Sequence, residues 1–217
     1  MSKKVVIIDY NLGNLFSVYQ ALVNIGLDVV ISSDPSEIAI ADAIVLPGVG
    51  AFKEAKDNLD KMGLTDELRK AVIENKKPFL GICLGLQLLF TSSEEFGTTE
   101  GLDFVKGKVL KFSKQTEDHK IRIPQISWNT IHENNPDVWK SSPLKDTKSG
   151  ADMYFVHSFY IVPENESITL TYTEYAGIRY TSSILIDNIF ACQFHPEKSA
   201  KEGLKIYKIW AEQNNLY

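Results

Sequence analysis

A cysteine between two glycines is the residue of this chain whose surroundings most suggest chemistry. Cys83 ends the apolar run Phe79-Leu80-Gly81-Ile82, and Leu84-Gly85 follows it. This is the spacing of a nucleophile elbow, where a strand turns sharply into a helix and glycines are needed because side chains have no room. A cysteine at the start of a helix also lies at the positive end of the helix dipole, which favours its thiolate form. The pattern predicts that Cys83 is a nucleophile.

A histidine and a glutamate near the C-terminus are the partners that such a nucleophile requires. His195 and Glu197 stand two residues apart in Phe194-His195-Pro196-Glu197, directly after a strand-like run. The imidazole can take and return a proton, and the carboxylate can orient the ring. We therefore expect Cys83, His195 and Glu197 to form a catalytic triad. The ordinary alternative is that a lone cysteine is a small core residue, and Cys192, which lacks flanking glycines, is interpreted in that way.

Alternating strands and helices in the first 91 residues are expected to position these groups. Apolar β-branched runs and helical periodicity predict a regular order of elements. The strands are expected over 5–8, 29–31, 43–46 and 78–83, and the helices over 15–25, 52–62, 65–74 and 84–91, with a short one opening at Asp34. This order predicts an open, mainly parallel sheet with helices on both faces. Sites in such sheets lie at the carboxyl ends of strands, where Pro47-Gly48-Val49-Gly50 and Cys83 both fall.

The second half of the chain consists mostly of strand-like runs. They cover residues 105–112, 153–162, 168–175, 180–186 and 189–194. A polar, loop-like stretch occupies 130–150, and an amphipathic helix is predicted over 202–213. We expect these strands to extend the parallel sheet in antiparallel fashion. One domain over residues 1–217 accommodates the whole pattern.

Composition and charge exclude several classes of function. The 217 residues are 44% hydrophobic and 24% charged, and a net charge of -5 argues against wholesale binding to nucleic acid or to an anionic membrane. No run approaches the roughly 20 apolar residues of a membrane span. Two cysteines fit a reducing compartment, so a cytoplasmic location is expected. Four histidines and two cysteines without close ligand spacing predict no metal site and no cofactor.

The two motifs together resemble the class I glutamine amidotransferases, whose glutaminase domains have a Cys-His-Glu triad and a flavodoxin-like fold. The resemblance extends from Gly81-Ile82-Cys83-Leu84-Gly85-Leu86-Gln87 and Gln193-Phe194-His195-Pro196-Glu197 over nearly the whole chain. Four local matches narrow it to the glutaminase subunits of imidazole glycerol phosphate synthase. They are Ile8-Asp9-Tyr10-Asn11-Leu12-Gly13-Asn14-Leu15, Leu46-Pro47-Gly48-Val49-Gly50-Ala51-Phe52, Tyr154-Phe155-Val156-His157-Ser158-Phe159 and Lys198-Ser199.

This resemblance implies a role for each matching position. Backbone amides at the glycine-rich turn beside Cys83 can hold an oxyanion, although the same residues also suit a plain turn. The family pattern favours the first interpretation, with the oxyanion site at Gly48, Val49 and Leu84 and completed when a partner binds. The residues implied to hold glutamine are Gln87, Glu95, Ser158 and Phe159.

The resemblance also implies a partner, because such a subunit supplies ammonia to another chain. The expected assembly is a heterodimer with a (β/α)8-barrel synthase subunit that closes an imidazole ring in histidine biosynthesis. In the partner-facing segment, this chain has Pro124-Gln125-Ile126-Ser127-Trp128-Asn129 where the family usually has Pro-His-x-Gly-Trp-Asn. Gln125, Trp128 and Asn129 are the expected interface residues.

Three alternatives remain open at the level of sequence. The departure at Gln125 leaves room for a paralogous subunit that supplies ammonia for amination of a surface-polysaccharide sugar. An elbow cysteine also occurs in flavodoxin-like cysteine peptidases, although the Phe-His-Pro-Glu stretch and Gln87 argue against that class. A regulatory protein without activity would have no chemical need for Cys83, His195 and Glu197 together.

Overall fold

Thirteen strands make up the sheet in the described part of the protein. The computed structural model describes residues 3–113 and 122–217. The strands are β1 (Lys4–Ile8), β2 (Asp28–Ser32), β3 (Ala43–Gly48), β4 (Phe79–Cys83), β5 (Phe90–Ser93), β6 (Thr99–Glu100), β7 (Val105–Lys111), β8 (Gln125–Glu133), β9 (Ala151–His157), β10 (Phe159–Pro163), β11 (Thr169–Tyr175), β12 (Ile178–Ile186) and β13 (Ile189–Cys192).

Helices connect most of the strands in the first half and close the chain. They are α1 (Leu15–Asn24), α2 (Pro35–Ile40), α3 (Phe52–Lys61), α4 (Leu64–Arg69), α5 (Leu84–Gln87), α6 (Pro136–Ser141) and α7 (Ala200–Gln213). A wider helical turn, Lys70–Glu74, continues α4. The Asp34 side chain caps α2 by accepting a hydrogen bond from the Ser36 N–H, as the capping sequence predicts. No helix of residues 3–113 and 122–217 is long and apolar enough to cross a membrane.

The sheet is parallel at its centre and antiparallel beyond it. Its order begins β2-β1-β3-β4-β13, and all neighbours in this group are parallel. It continues through β12, β10 and β7 with antiparallel pairing, and β5 then joins β7 in parallel. This arrangement confirms the mixed sheet predicted from the sequence. The last parallel strand, β13, comes from the far end of the chain and lies beside β4.

Both faces of the parallel strands are buried under helices. In β1, Val5 and Ile7 face a core that contains residues of α1 and α7, whereas Val6 and Ile8 face a core that contains residues of α2, α3 and α4. Successive strand residues point to opposite faces. A strand covered on both sides must therefore be apolar at every position, which explains the uninterrupted runs in the sequence.

Three further strands, β11, β8 and β9, form a branch from β12. β11 pairs with both β12 and β8, and β8 pairs in turn with β9. The N–H of His195 donates a hydrogen bond to the Tyr154 carbonyl at 2.9 Å. This contact fixes β9 against the segment that follows β13, and His157, at the end of β9, lies near His195.

Three predicted elements were wrong in extent. The helix expected over 84–91 is a single turn, and Phe90–Ser93 instead forms β5, because a short buried apolar run has no period that distinguishes helix from strand. The strand expected over 153–162 is two strands separated at Ser158, since β9 pairs with β8 and β10 pairs with β7. The stretch 130–150 contains the end of β8 and helix α6 rather than loop alone.

Candidate active site

The turn at Cys83 has the strained backbone of a nucleophile elbow. Cys83 ends β4 with φ +54° and ψ -107°, a conformation that non-glycine residues rarely adopt, and α5 begins at the next residue. A β-carbon on Gly85 would lie 1.8 Å from the Leu46 carbonyl oxygen, and one on Gly81 would lie 2.9 Å from the Ala191 β-carbon. The two glycines therefore allow α5 to pack closely on β3, and β13 to pack closely beside β4.

His195 and Glu197 form a buried pair beside this turn. The His195 Nδ1 lies 2.8 Å from the Glu197 Oε1, and the side chains are 2% and 1% exposed. The Tyr207 hydroxyl donates a second hydrogen bond to the Glu197 Oε2 at 3.1 Å. Because a carboxylate only accepts, Nδ1 carries a proton, and Nε2 is the nitrogen that remains for chemistry. That Nε2 is buried and makes no hydrogen bond of normal geometry.

The charge of the Cys83 sulfur acts strongly on His195. Burial by itself lowers the pKa of His195, but the negative charge of Cys83 and the Glu197 carboxylate more than offset it and raise the pKa to about 10. The structure thus favours the charged imidazolium form of His195 beside the Cys83 sulfur. No hydrogen bond of normal geometry joins the sulfur to Nε2, although Cys83 is close enough to raise the pKa of His195.

A Cys83→Ala substitution is expected to lower the pKa of His195 from its raised value toward the ordinary one, because it removes the largest raising influence. The folded-state pKa of His195 lies above its ordinary 6.5. Its stabilising contribution is therefore complete below pH 6.5 and is lost as pH rises through about 10; in the variant, this loss moves to lower pH. NMR titration of the imidazole C–H resonances measures the change. Cys192→Ala is the matched control, and an unchanged His195 titration in Cys83→Ala would contradict the influence of Cys83 on His195.

The Cys83 sulfur opens into a cavity of about 230 Å³. This cavity brings together most of the residues predicted for oxyanion and substrate binding. Its lining comprises Val49, Gly50, Cys83, Leu84, Gln87, Glu95, Pro124, Val156, His157, Ser158 and Phe159. A wider groove of about 370 Å³ lies along β10, β11 and β12, but Cys83 does not line it. The smaller cavity is therefore the candidate substrate site.

Comparisons with known proteins agree with this geometry. The family model described as glutamine amidotransferase class-I matches residues 6–209. A relative from Syntrophotalea carbinolica, named imidazole glycerol phosphate synthase subunit HisH, is 42% identical over 94% of this chain and 97% of its own length. A relative of the same name from Aquifex aeolicus is 47% identical over 94% of this chain and 93% of its own.

The chain belongs to the class I glutamine amidotransferases, in the family of HisH subunits. The resemblance inferred from the motifs is thereby confirmed. Among solved structures, that of PurLQS from Thermotoga maritima superimposes with a TM-score of 0.70. It is 19% identical, and the match covers 98% of this chain and 99% of that one, which shows the shared fold.

The predicted oxyanion residues of the amidotransferase meet at the ends of β3 and β4. Gly48 lies directly opposite Cys83 in the parallel register, and Val49 and Leu84 line the cavity. The buried Tyr10 hydroxyl donates a hydrogen bond to the Pro47 carbonyl at 2.8 Å. A β-carbon on Gly48 would lie 2.1 Å from that hydroxyl, so only glycine fits between Tyr10 and the elbow.

Two of the four predicted glutamine-binding residues, Gln87 and Glu95, form hydrogen bonds to other residues of the amidotransferase. The Gln87 Nε2 donates hydrogen bonds to the Phe159 carbonyl at 3.1 Å and to the Gln193 Oε1 at 2.9 Å. The Glu95 Oε2 accepts a hydrogen bond of 2.6 Å from the Phe52 N–H, at the first residue of α3. These contacts hold Gln87 and Glu95 in fixed positions at the cavity wall. Ser158 belongs to the same wall, between β9 and β10.

Three polar residues without an assigned role in the sequence analysis surround the site. The His157 Nδ1 lies 2.7 Å from the Phe159 carbonyl, and its Nε2 lies 3.2 Å from the Tyr180 hydroxyl. Burial lowers the pKa of His157 to about 4, assisted by the nearby His195, so the ring is neutral. The third residue, Gln193, contacts the Cys83 sulfur. The sequence signal that could have identified Gln193 is its polar side chain within an otherwise apolar strand run.

The residues predicted to face a partner separate into two groups. Trp128 is 51% exposed, and its neighbour Ile126 is 60% exposed, so apolar surface is available there. Asn129 is partly buried and donates a hydrogen bond to the Glu174 carbonyl. The prediction for Gln125 was wrong, because its side chain is fully buried and bonded to the Tyr180 hydroxyl. Alternation along β8 turns Gln125 inward and Ile126 outward.

Proposed function

We propose that this protein is the glutaminase subunit of an imidazole glycerol phosphate synthase, acting in histidine biosynthesis in the cytoplasm. It hydrolyses glutamine to glutamate and ammonia and passes the ammonia to a synthase subunit. The observation that carries the proposal is the buried His195–Glu197 pair, which lies next to a strained Cys83 at the wall of a 230 Å³ cavity. We further propose that residues 1–217 act as one domain.

The first half of the proposed reaction forms a glutamyl thioester. The Cys83 thiolate attacks the side-chain carboxamide carbon of glutamine, and the carbonyl oxygen becomes an oxyanion. Backbone amides of Val49 and Leu84 are the proposed donors to this oxyanion, and each such donor typically contributes on the order of 10² to 10³ in rate. The His195 imidazolium then gives its Nε2 proton to the departing nitrogen. The C–N bond breaks, and ammonia leaves.

The second half regenerates the enzyme with the same groups. Neutral His195 takes a proton from water as the water oxygen attacks the thioester carbon. Collapse of the tetrahedral intermediate breaks the C–S bond, releases glutamate and restores the thiolate beside the imidazolium. Glu197 orients the ring in both halves through its 2.8 Å hydrogen bond to Nδ1. Tyr207 in turn holds Glu197 in place.

Ammonia released into water would be protonated and would lose its nucleophilic lone pair. The proposal therefore includes direct transfer to a barrel-type synthase subunit in a heterodimer. The exposed apolar side chains Ile126 and Trp128 support a docking face on β8, at the strand that also leads to the cavity through Pro124. The names of the relatives support this acceptor over the polysaccharide sugar.

Complementation of a histidine auxotroph tests the acceptor pathway. The host lacks both subunits of its own synthase and receives this chain together with the barrel subunit from the same source organism. We expect growth without histidine, and the two chains should purify as a complex. The Cys83→Ala chain is the matched control and should support growth only with abundant ammonium. If the wild-type pair hydrolyses glutamine but gives no growth, the acceptor is a different molecule.

A further inference from the structure

Gln193 is a buried glutamine with its side chain beside the nucleophile. It follows β13 directly and is 0% exposed, and its backbone N–H donates a hydrogen bond to the Ser182 carbonyl at 2.8 Å. The register Cys192↔Ile82 between β13 and β4 brings the next residue of each chain segment, Gln193 and Cys83, side by side. The Gln193 Nε2 lies 3.4 Å from the Cys83 sulfur.

The direction of this hydrogen bond is fixed by a chain of contacts that starts at a backbone carbonyl. The Phe159 carbonyl can only accept, so the end of the Gln87 amide that faces it at 3.1 Å must be the NH₂ group. The same NH₂ group lies 2.9 Å from the Gln193 amide, which must therefore turn its oxygen toward Gln87. The Gln193 NH₂ group therefore faces the sulfur. Exchanging the oxygen and nitrogen of either amide would place two acceptors or two donors opposite each other in at least one of the three contacts.

A second contact of the Cys83 sulfur favours the protonated thiol over the thiolate. The Val156 carbonyl oxygen lies 3.8 Å from the Cys83 sulfur and can accept only from a protonated thiol. An N–H from Gln193 instead favours the thiolate, because a donor stabilises the charged form. The helix after Cys83 is a single turn, so its dipole contributes less than the sequence implied. Gln193 supplies a donor that does not depend on helix length.

We propose that Gln193 is a catalytic residue that donates its N–H to the Cys83 sulfur and holds the sulfur as thiolate. The inference rests on the proposed glutaminase function. Before attack, the N–H stabilises the nucleophile next to the His195 imidazolium. When water has added to the thioester, the same N–H stabilises the sulfur as the C–S bond breaks and the electron pair returns to it. Gln87 aims the Gln193 amide and acts as a positioning residue.

Substitution of Gln193 by glutamate tests the direction of the hydrogen bond. Gln193→Glu keeps the size of the side chain and an acceptor for Gln87, but places a carboxylate oxygen on the sulfur. Alkylation of Cys83 by iodoacetamide is followed against pH, with the modified peptide identified by mass spectrometry. We expect the alkylation midpoint to move to higher pH by about one unit or more, hence roughly 10-fold slower alkylation at neutral pH. Glutamine-dependent kcat should fall more than KM rises.

Gln193→Met is the second variant, since it removes the donor without adding charge and should shift the midpoint in the same direction but less. Gln213→Glu is the matched control, because it makes the same change at an exposed residue of α7. A folded Gln193→Glu with an alkylation profile that superimposes on the wild-type one overturns the proposal. If that variant does not fold, an unshifted profile in Gln193→Met overturns it equally.

The alkylation assay requires neither glutamine nor a partner, so it is independent of the glutaminase assay. A wild-type chain with a reactive Cys83 that fails to hydrolyse glutamine in the presence of the barrel subunit would contradict the proposed function. Active glutamine hydrolysis combined with unshifted profiles in both Gln193 variants would contradict the role of Gln193 alone.

Discussion

Replacement of Cys83 by alanine is expected to abolish synthesis from glutamine in the complex with the barrel subunit, while synthesis from added ammonium salts continues. No thioester can form without the sulfur, and loss of a nucleophile of this kind costs on the order of 10⁴- to 10⁶-fold in rate. The acceptor reaction belongs to the partner and uses ammonia from any source. Product formation is measured with glutamine alone, with ammonium chloride alone, and with both.

Cys192→Ala is the control for this experiment, because Cys192 is the other cysteine and is fully buried in the core. It should retain turnover from glutamine. Retention of glutamine-dependent turnover by Cys83→Ala would show that another group is the nucleophile. Loss of the ammonium-dependent reaction in the same variant would instead show that the substitution disturbs the complex and not only the chemistry.

Substitution of Gly85 by alanine is expected to have the largest effect on stability. The new β-carbon would lie 1.8 Å from the Leu46 carbonyl oxygen and 2.8 Å from the carbonyl carbon. Both atoms belong to the backbone of β3, which is paired on both sides and cannot shift alone. We expect the free energy of unfolding to fall by about 4 kcal/mol or more, measured by urea denaturation.

Gly63→Ala is the matched control for Gly85→Ala. Gly63 has a left-handed backbone with φ +69°, but no atom lies within 4 Å of its added β-carbon. The cost there is backbone strain alone, about 1 kcal/mol. A Gly85→Ala protein that loses no more stability than Gly63→Ala would contradict the close packing of α5 on β3. The same displacement of β3 should also reduce the glutaminase rate, since Gly48 lies on that strand.

Local sequence was enough to predict the elbow and most of the parallel sheet. Strands buried on both faces require unbroken apolar runs, and the glycines around Cys83 are needed by the turn itself. These requirements act over fewer than ten residues and are therefore visible in the sequence. The length of α5 could not be predicted from the sequence, because Phe90 belongs to β5, where it pairs with Val105 of β7. Such pairing is a long-range contact that overrides local preference.

The positions of the polar residues of the site also depend on long-range contacts rather than on local sequence. Gln125 was expected at the partner interface because the matching segment of the family faces the partner, but its inward direction depends on the register of β8 against β9. The roles of His157 and Tyr180 depend on contacts between strands that are distant in sequence. No local pattern indicates which buried donor meets which acceptor.

The sequence alone determined the residue types and spacings of the two motifs, one around Cys83 and one around His195. It also determined the family, the alternation of strands and helices, and the expected nucleophile. Only the tertiary structure decided that the two motifs meet. β13 lies parallel beside β4, in a register that pairs Cys192 with Ile82 across 110 positions of the chain. That pairing places a donor on the sulfur and a histidine near it. Its energy comes from packing and hydrogen bonds between elements that are far apart in sequence, so a local pattern cannot reveal it.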